Sequence, residues 1–484
     1  MRGIINILGN LVNKMNLQNK IVSSDFISET TINETLNRVQ KCDPAMVHEV
    51  LAKAGEMRGL DADDVAALMA VETPDLLDAL YAAANRVKEE IYGSRLVLFA
   101  PLYVSNFCKN ECLYCPFRVS NKTIRRRALT MEQIAGEVRI LIDQGHKRLL
   151  LVSGESYPDV DGLDYILKAI DTVYSVRSGR GEIRRVNVNL APLTLDEFRR
   201  LKAAQIGTYQ LFQETYHRET YRRMHTGGMK RDYDWRVTVF DRAMEAGIDD
   251  VGIGVLFGLY DWKFELLALM QHIHHLEERF GFGPHTISVP RIEPATGTPL
   301  TLRPPCQISD QDFCKLVAII RLAVPYTGII MTTRENKEVR RRSFSLGVSQ
   351  ISAGSRTNPG GYAGEVTCAE DGQFQLGDCR TLDEVVRDCA ELGYIPSFCT
   401  ACYRLGRTGA DFMDLAKPGE IKYHCGPNAI SCFQEYLLDY ASAETRAVGE
   451  QLIHAKLGQM DPPSRKITEG LIQRLLDDQR DVFV

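Results

Sequence analysis

The chain has 484 residues, of which 44% are hydrophobic, and a net charge of −5. That length accommodates one large domain with additions, or two to three domains. The charge balance argues against nucleic acid as a partner, and no apolar run approaches the roughly 18 residues of a membrane span. We therefore expect a cytoplasmic protein without a transmembrane helix. The slight amphipathic character of the first twenty residues leaves an organellar targeting role open.

The first predicted elements along the chain are helices. Residues 1–42 are interpreted as an N-terminal extension, loosely ordered over its first twenty residues, and residues 43–93 as a helical lead-in. In the lead-in, apolar residues recur at intervals of three and four, as in HEVLAKAGEM and DLLDALYAAANRV. This spacing is typical of amphipathic helices that pack one face on a core.

Between residues 94 and 360 short β-rich apolar runs alternate with amphipathic runs. Strands that alternate with helices indicate a parallel sheet, and eight strands are the number that closes a (βα)8 barrel. The sequence therefore predicts an α/β fold with such a barrel, and an open doubly wound sheet is the alternative. The eight predicted strands begin at Leu96, Arg148, Arg185, Thr208, Val251, His285, Gly328 and Val348.

Polar side chains follow most of the predicted strands, at the end of the barrel where enzymes of this fold carry their active sites. A site is therefore expected at that end. After residue 360 the alternation of strands and helices stops, and residues 361–484 are predicted to form a mainly helical C-terminal domain. The polar residues at the strand ends are Asn106, Ser153 to Glu155, Asn189, Glu214, Arg291, Thr333, Arg334 and Ser352.

Three cysteines with C-x3-C-x2-C spacing, Cys108, Cys112 and Cys115, follow the first predicted strand. Three thiolates in one short loop can hold a [4Fe–4S] cluster. They leave one iron without a protein ligand, open to an external chelating group, whereas a structural zinc site is normally closed by a fourth residue. A cluster with an open iron is therefore predicted, and a zinc site is the alternative.

A second group, Cys399, Cys402 and Cys425, has C-x2-C-x22-C spacing and lies in the predicted C-terminal domain. It also offers three thiolates for an iron–sulfur cluster. Either His424 or Cys432 could supply a fourth ligand, and a zinc site that includes His424 is the alternative. The seven scattered cysteines are otherwise interpreted as small buried hydrophobic residues, because no secretory signal suggests a disulfide framework.

The first cysteine group resembles the signature of the radical S-adenosylmethionine (SAM) superfamily, whose open iron binds the amino and carboxylate groups of SAM. Tyr114, directly before the third cysteine, also fits that signature. Ser153, Gly154 and Glu155 resemble the Gly-Gly-Glu element that binds the SAM amino group, with Ser153 in place of the first glycine. The resemblance therefore implies SAM binding at the carboxyl end of the barrel.

The second cysteine group and its surroundings resemble a more specific family. The segments CYRLGRTG, FMDLAKPG and PNAI, with VNVNLAPLT, GPHTISVPR and VPYTGIIMTTREN in the barrel, are similar to segments of the HydG family of [FeFe]-hydrogenase maturases. The resemblance runs from about residue 43 to residue 484. The related thiazole-pathway tyrosine lyase ThiH lacks the second cluster, so the second cysteine group distinguishes the two families.

This resemblance implies a radical SAM lyase that cleaves L-tyrosine at its Cα–Cβ bond into p-cresol and dehydroglycine. Dehydroglycine then gives CO and cyanide, which are assembled on a mononuclear iron held with cysteine at the auxiliary cluster, for the hydrogenase H-cluster. The implied cofactors are two [4Fe–4S] clusters, at opposite barrel ends, and SAM. The implied partners are a reductant such as ferredoxin or flavodoxin and the other proteins of hydrogenase maturation.

Two alternatives belong to other classes of function. One is a ThiH-like 2-iminoacetate synthase, or another radical SAM amino-acid lyase, whose second cluster is structural or transfers electrons. The other is a non-catalytic metal-binding scaffold that docks on a hydrogenase. The scaffold would have no use for the polar residues at the strand ends, and it predicts no cleavage of SAM.

The substrate carboxylate calls for a planar cation that can bond it through two nitrogens. Arg334, after the seventh predicted strand, is the first candidate, with Thr332 or Thr333 as a hydroxyl donor. Its position in the TTREN segment, which resembles the family, supports this choice. The competitor is Arg291, after the sixth strand, whose other role would be a structural ion pair.

Two further assignments complete the predicted sites. Asn189 and Glu214 belong to the same barrel mouth and are assigned to the ribose or amino group of SAM. The mononuclear iron calls for a histidine from the opposite, amino end of the barrel. His275, near the C-terminus of the fifth helix, is preferred over His285, which opens the sixth strand.

Overall fold

The computed structural model describes residues 23–39, 41–156, 162–364, 372–417 and 420–484. The first twenty residues, interpreted above as a loosely ordered extension, lie outside these ranges, as does Cys368. The predicted lead-in is helical, and one further helix precedes it, capped by the side chain of Ser28. The domain boundaries after residues 42, 93 and 360 stay predictions. The four helices are α1 Glu29–Arg38, α2 Pro44–Ala54, α3 Ala62–Met69 and α4 Pro74–Tyr92.

Eight parallel strands form a closed barrel, as predicted. Each strand pairs with the next, and the last pairs with the first through Val97 with Gln350 and Phe99 with Ser352. This closing pair excludes the open sheet. The strands are buried along most of their length, as expected where helices cover the outside and side chains fill the inside. They are β1 Arg95–Ser105, β2 Arg148–Ser153, β3 Arg185–Asn189, β4 Tyr209–Glu214, β5 Val251–Val255, β6 Thr286–Ser288, β7 Gly328–Met331 and β8 Gln350–Ser352.

Helices surround the barrel, and several begin at caps that are visible in the sequence. Thr130 and Thr194 each form a capping box with the residue three positions later, which satisfies the free backbone N–H groups of the first turn. Two short antiparallel segments, Arg177–Ser178 and Gly181–Glu182, pair beside the barrel. The outer helices are α5 Met131–Asp143, α6 Asp164–Ser175, α7 Leu195–Ala203, α8 Arg218–Met224, α9 Tyr233–Val237, α10 Val239–Glu245, α11 Trp262–Phe280, α12 Asp310–Ala323 and α13 Lys337–Ser345, with 3-10 turns at Met229–Arg231 and Pro299–Leu302.

The C-terminal region is mainly helical but begins with a strand that the sequence did not predict. This strand, β9, spans only three residues and pairs with the first three residues of β1, which brings the chain to the amino end of the barrel. No helix in the described ranges is long and apolar enough to cross a lipid bilayer. The elements of this region are α14 Leu382–Glu391, β9 Ile395–Ser397, α15 Ala401–Arg404, α16 Gly409–Ala416, α17 Ile421–Asp439, α18 Ala443–Gln459 and α19 Pro462–Leu476.

Candidate active site

The first cysteine group lies in the loop that follows β1, at the carboxyl end of the barrel. Cys112 is buried, Cys108 and Cys115 are partly buried, and all three line one cavity. Burial, together with the adjacent Cys108 thiol, raises the pKa of Cys115 to about 12. Thiols that influence one another in this way converge on the same space, and a bound metal favours their deprotonation. This donor set fits a three-thiolate cluster.

A second segment of the chain holds the cysteine loop in place. The backbone N–H of Leu113 donates to the carbonyl of Met224 at 3.0 Å, and that of Glu111 donates to the carbonyl of Gly227 at 3.0 Å. Cys112 and His225 form an isolated β-bridge between these two segments. The position of the loop is therefore set by residues more than one hundred positions away along the chain.

Tyr114 is fixed by a hydrogen bond to a buried histidine. The Nδ1 atom of His225 lies 2.8 Å from the carbonyl oxygen of Tyr221, which can only accept, so Nδ1 carries the proton. The Nε2 atom therefore accepts from the Tyr114 hydroxyl at 2.8 Å. Burial holds the pKa of His225 well below its usual value, so the ring is neutral at physiological pH. Tyr114 is thus anchored beside the cysteines by a neutral hydrogen-bonded pair.

Two carboxylates and two cations form a largely buried network that lines the same cavity. Arg236 donates to Glu155 at 3.1 Å and lies 3.5 Å from Glu214, to which Lys230 donates at 2.6 Å. Burial alone would raise the pKa of Glu155, but Arg236 and Lys230 hold it below its usual value, so Glu155 is ionised. The sequence had indicated both carboxylates but neither cation, because Lys230 and Arg236 do not follow a strand.

Gly154 is required by close backbone contact with the cysteine loop. Its N–H donates to the carbonyl of Ser105 at 2.8 Å, and a Cβ atom at this position would overlap the carbonyl oxygen of Phe107. Because Phe107 precedes Cys108, an added methyl group must push the loop away from its position. Gly154 is therefore the member of the Ser-Gly-Glu element whose identity the backbone fixes.

We accordingly expect Gly154→Ala to raise the KM for SAM about tenfold or more, because small displacements in a site cost that much. Steady-state formation of 5′-deoxyadenosine at varied SAM concentrations measures the effect. The control is Gly136→Ala, since a Cβ at Gly136 meets no atom within 4 Å. An unchanged KM in the Gly154 variant would show that the loop tolerates the methyl group.

Arg334 and Thr332 line the same cavity as the cysteines, and so does Asn189. The guanidinium of Arg334 lies 3.4 Å from the ring centroid of Phe374, and no carboxylate in the described part of the chain forms an ion pair with it. Arg291, the competitor, instead donates to Glu335 at 2.9 Å and pairs with Asp310. The structure thus gathers around one cavity the residues that the sequence assigned to SAM or to the substrate, whereas Asn106 and Arg291 do not line it. The residues around the cavity are Tyr114, Ser153, Gly154, Glu155, Asn189, Glu214, Thr332 and Arg334.

The second cysteine group lines a separate cavity at the amino end of the barrel. Cys399 follows β9, whereas Cys402 and Cys425 lie on α15 and α17. Hydrogen bonding from Cys402 lowers the pKa of Cys425 to about 6, and hydrogen bonding from Cys432 lowers that of Cys399 to about 7. The thiol of Cys425 is thus paired with that of Cys402, and the thiol of Cys399 with that of Cys432, at the same end of the barrel.

Arg95 lies at the start of β1, close to Cys399, Cys402 and Cys425. Each of the three thiolates would raise the pKa of the Arg95 guanidinium and so favour its charged form. A partly buried cation among three thiols fits a set of thiolate ligands. Among the described residues, no three or more His, Cys, Asp or Glu side chains are arranged so that they could hold a single metal ion. What the geometry provides at each barrel end is therefore a convergence of thiols on a cavity.

The histidine assignment from the sequence is not supported by position. His275 does not line the second cavity: its Nε2 lies 2.8 Å from Oδ1 of Asp241 on α10, and its ring stacks on Phe26 at 3.9 Å. His285 lines the cavity, with its ring centroid 4.7 Å from that of Phe412. His424 is not among the cavity-lining residues. His275 is on the predicted helix, but the face that carries it packs against α10.

The scattered cysteines follow the prediction in part. Cys314 and Cys389 are buried, as expected for small hydrophobic residues, whereas Cys42 and Cys306 are only partly buried. Cys379 departs from the prediction, because it is disulfide-bonded. None of these five lines either cysteine cavity as the structure describes it.

A closed parallel barrel with three cysteines after its first strand is the arrangement of radical SAM enzymes. In agreement, the family model "Radical SAM superfamily" matches residues 102–270, and "Biotin and Thiamin Synthesis associated domain" matches residues 288–395. The chain is thus a radical SAM protein, a class that implies a [4Fe–4S] cluster and SAM. The second match is consistent with an additional cluster.

Two solved structures and one enzyme that are similar to this chain identify its family within the radical SAM class. A crystal structure of HydG, a maturase of the [FeFe]-hydrogenase, is 48% identical with a TM-score of 0.92 and covers 95% of this chain and 100% of its own. HydG from Carboxydothermus hydrogenoformans is 41% identical with a TM-score of 0.81, covering 92% and 98%. The 2-iminoacetate synthase of Escherichia coli is 33% identical over 63% of this chain and 78% of its own. The chain belongs to the HydG family of radical SAM maturases.

Proposed function

We propose that the protein is a radical SAM lyase that cleaves L-tyrosine at the Cα–Cβ bond, giving p-cresol and dehydroglycine. Dehydroglycine is then converted to CO and cyanide on iron, as a precursor of the [FeFe]-hydrogenase H-cluster. The observation that carries the proposal is the presence of two converging three-cysteine groups at opposite ends of one barrel. Membership of the HydG family supports the same assignment.

At the carboxyl end, Cys108, Cys112 and Cys115 would hold one [4Fe–4S] cluster and leave one iron open to SAM. When bound, the cluster and SAM supply an electron and a hydrogen-abstracting adenosyl radical. The ionised Glu155 offers a hydrogen-bond acceptor to the N–H groups of the SAM amino group. Glu214 and Asn189, on the same cavity wall, are assigned to the SAM ribose or amino group.

Arg334 is assigned to the carboxylate of tyrosine. Its guanidinium is directed into the cavity, stacks on Phe374 and has no carboxylate partner in the described residues, so its hydrogen-bond donors are available to a ligand. Stacking on the aromatic ring also restricts the orientation of the planar group. Thr332 lines the same cavity and offers a hydroxyl group next to it. Together they would orient the amino group of tyrosine towards SAM.

At the amino end, Cys399, Cys402 and Cys425 would hold the second [4Fe–4S] cluster. His285 replaces His275 as the proposed protein ligand of the mononuclear iron, which is bound with cysteine and leaves with the product. The barrel strands between the two ends carry buried polar side chains, among them Asn187, Gln210, Thr286 and Gln350. Barrels of this type are usually filled by branched apolar residues, so these side chains support passage of a polar intermediate.

The second candidate function is a 2-iminoacetate synthase, in which dehydroglycine is the final product and the second cluster is structural or transfers electrons. The similarity to the Escherichia coli enzyme favours it. That similarity extends over 63% of this chain, however, whereas similarity to HydG extends over 95%. Both candidates share the tyrosine cleavage step and the residues of the carboxyl end.

The experiment that tests the proposal is anaerobic reconstitution with iron and sulfide, followed by reaction with SAM, dithionite and L-tyrosine. We expect p-cresol, CO and cyanide. If p-cresol forms without CO, the 2-iminoacetate synthase replaces the proposal. If protein with the iron and sulfide content of two clusters does not cleave SAM, both lyase functions are wrong. The non-catalytic metal-binding scaffold is then the hypothesis that remains.

Substitution of Arg334 by lysine should raise the KM for L-tyrosine about 10- to 100-fold, because one charge-assisted hydrogen bond of roughly 1.5–3 kcal/mol is lost while the charge is kept. The KM for SAM should not change. Initial rates of p-cresol formation measure both constants. Arg303→Lys, at an exposed arginine, is the control. An equal rise of both KM values would indicate that Arg334 positions the cavity wall instead of binding tyrosine.

A further inference from the structure

Positive charge is concentrated beside the first cysteine group. Residues 107–127 contain six basic residues (Lys or Arg) and one acidic residue (Glu). Residues 218–231 contain five basic residues and one acidic residue. The two segments therefore carry a net charge of +9 in a chain whose net charge is −5. Their two acids, Glu111 and Glu219, are each paired with an arginine of their own segment. Lys230 and Arg218 pair with Glu214 and Asp234 outside the two segments, so the excess positive charge of this surface comes from the other cations.

The two segments form one continuous surface around the cysteine loop. The hydrogen bonds from Leu113 to Met224 and from Glu111 to Gly227 join them, and the N–H of Lys230 donates to Oδ1 of Asn110 at 3.0 Å. We call the six exposed cations of this surface the basic rim. They are Lys109, Lys122, Arg125, Arg222, Arg223 and Arg231.

Large apolar side chains are exposed within the basic rim. Ten large hydrophobic residues are exposed in the described ranges, and four of them lie in these two segments: Phe107, Leu113, Val119 and Met229, with exposed fractions from 37% to 71%. Leu113 stands between Cys112 and Cys115, and Phe107 directly precedes Cys108. Exposed apolar groups surrounded by charge are typical of a protein-binding surface.

We propose that the basic rim and its four apolar residues form the docking surface for an acidic one-electron carrier protein of the iron–sulfur class. Opposite charge would steer and orient such a carrier, and the apolar residues would bring it against the loop that bears the cluster ligands. The inference rests on the proposed function, which requires an external electron. In the transfer the carrier loses one electron and the cluster gains it, and no bond forms or breaks.

The chemistry of the surface favours a protein over a nucleic acid. Either partner would be attracted by the positive charge. Single-stranded nucleic acids, however, use aromatic side chains on which bases stack, and three of the four exposed apolar residues, Leu113, Val119 and Met229, are aliphatic. An acidic protein with an apolar contact region matches both features of the surface.

The test compares a rim variant with a control variant of equal charge change, both as reconstituted holoenzyme. The rim variant is Lys122→Glu, Arg223→Glu, Arg231→Glu, and the control is Arg86→Glu, Arg139→Glu, Lys466→Glu, all at exposed residues. Calorimetric titration with a purified acidic ferredoxin, at low and high salt, gives Kd. We expect Kd to rise about 30-fold or more in the rim variant and less than about twofold in the control. Formation of p-cresol should fall with ferredoxin as reductant and be unchanged with dithionite.

Three outcomes would overturn the inference. The rim variant binds ferredoxin as the wild type does, the control loses as much affinity as the rim variant, or an oligonucleotide binds to the rim while ferredoxin does not. Failure of the proposed function is distinguishable from these outcomes. Wild-type holoenzyme that binds ferredoxin through the rim but makes no p-cresol with dithionite would contradict the lyase function and leave the docking surface in place.

Discussion

Replacement of Cys115 by serine is expected to abolish SAM cleavage. The proposed cluster has three protein ligands, and all of them come from one loop, so loss of one leaves two thiolates, and the hard serine hydroxyl is a poor substitute for a soft thiolate. The measurements are iron and sulfide content, the electron paramagnetic resonance signal of the dithionite-reduced protein, and 5′-deoxyadenosine formation. The signal of the first cluster should disappear while about half of the iron is retained at the second site.

The control for this substitution is Cys42→Ser, because Cys42 is partly buried and does not line either cysteine cavity. It should leave metal content and SAM cleavage unchanged. If the Cys115 variant still cleaves SAM at the wild-type rate, the C-x3-C-x2-C group does not hold the catalytic cluster. The barrel would then need another set of ligands, for which the described residues provide no candidate at that end.

The second large effect is expected from the double substitution Cys399→Ser, Cys402→Ser. It should retain p-cresol formation but eliminate CO and cyanide, because it removes two of three thiolates at the amino end without altering any residue of the carboxyl-end cavity. The products are quantified by chromatography for p-cresol, by a haemoglobin binding assay for CO and by derivatisation for cyanide. The variant thus separates the two halves of the proposed reaction.

The matched control is Cys42→Ser, Cys306→Ser, which alters two cysteines outside both groups. A thermal unfolding scan distinguishes a specific effect from loss of structure. If the Cys399, Cys402 variant is folded yet makes no p-cresol, the second cluster takes part in tyrosine cleavage, and the separation of the two sites is wrong. If CO is still produced in full, the second cysteine group has another role.

Much of the barrel was predictable because its signals are local. Strand and helix periods are set by neighbouring residues, so all eight strands were found, although β6 and β8 begin one and two residues later than predicted. The strand β9 was missed because three residues, Ile395–Ser397, give no recognisable period. It forms only because the amino end of β1 offers a partner.

The choice between similar residues needed the fold. Arg291 and Arg334 both follow a strand, but only the structure shows that Glu335 and Asp310 hold the first in ion pairs. His275 and His285 both belong to elements that reach the amino end, and the rotation of α11 decides that His275 meets Asp241. Lys230 and Arg236 carried no sequence signal, since their role depends on carboxylates supplied by other strands.

The sequence by itself determined the barrel, the two cysteine groups and the family, because strand periodicity, cysteine spacing and the segments that resemble the family all lie in contiguous residues. Only the tertiary structure decided which polar residues share a cavity, which arginine is available and which histidine reaches the second cysteine group. The physical reason is that these properties depend on the direction of side chains and on burial among distant segments. Charge clustering around the cysteine loop likewise emerges only when residues 107–127 and 218–231 are brought together.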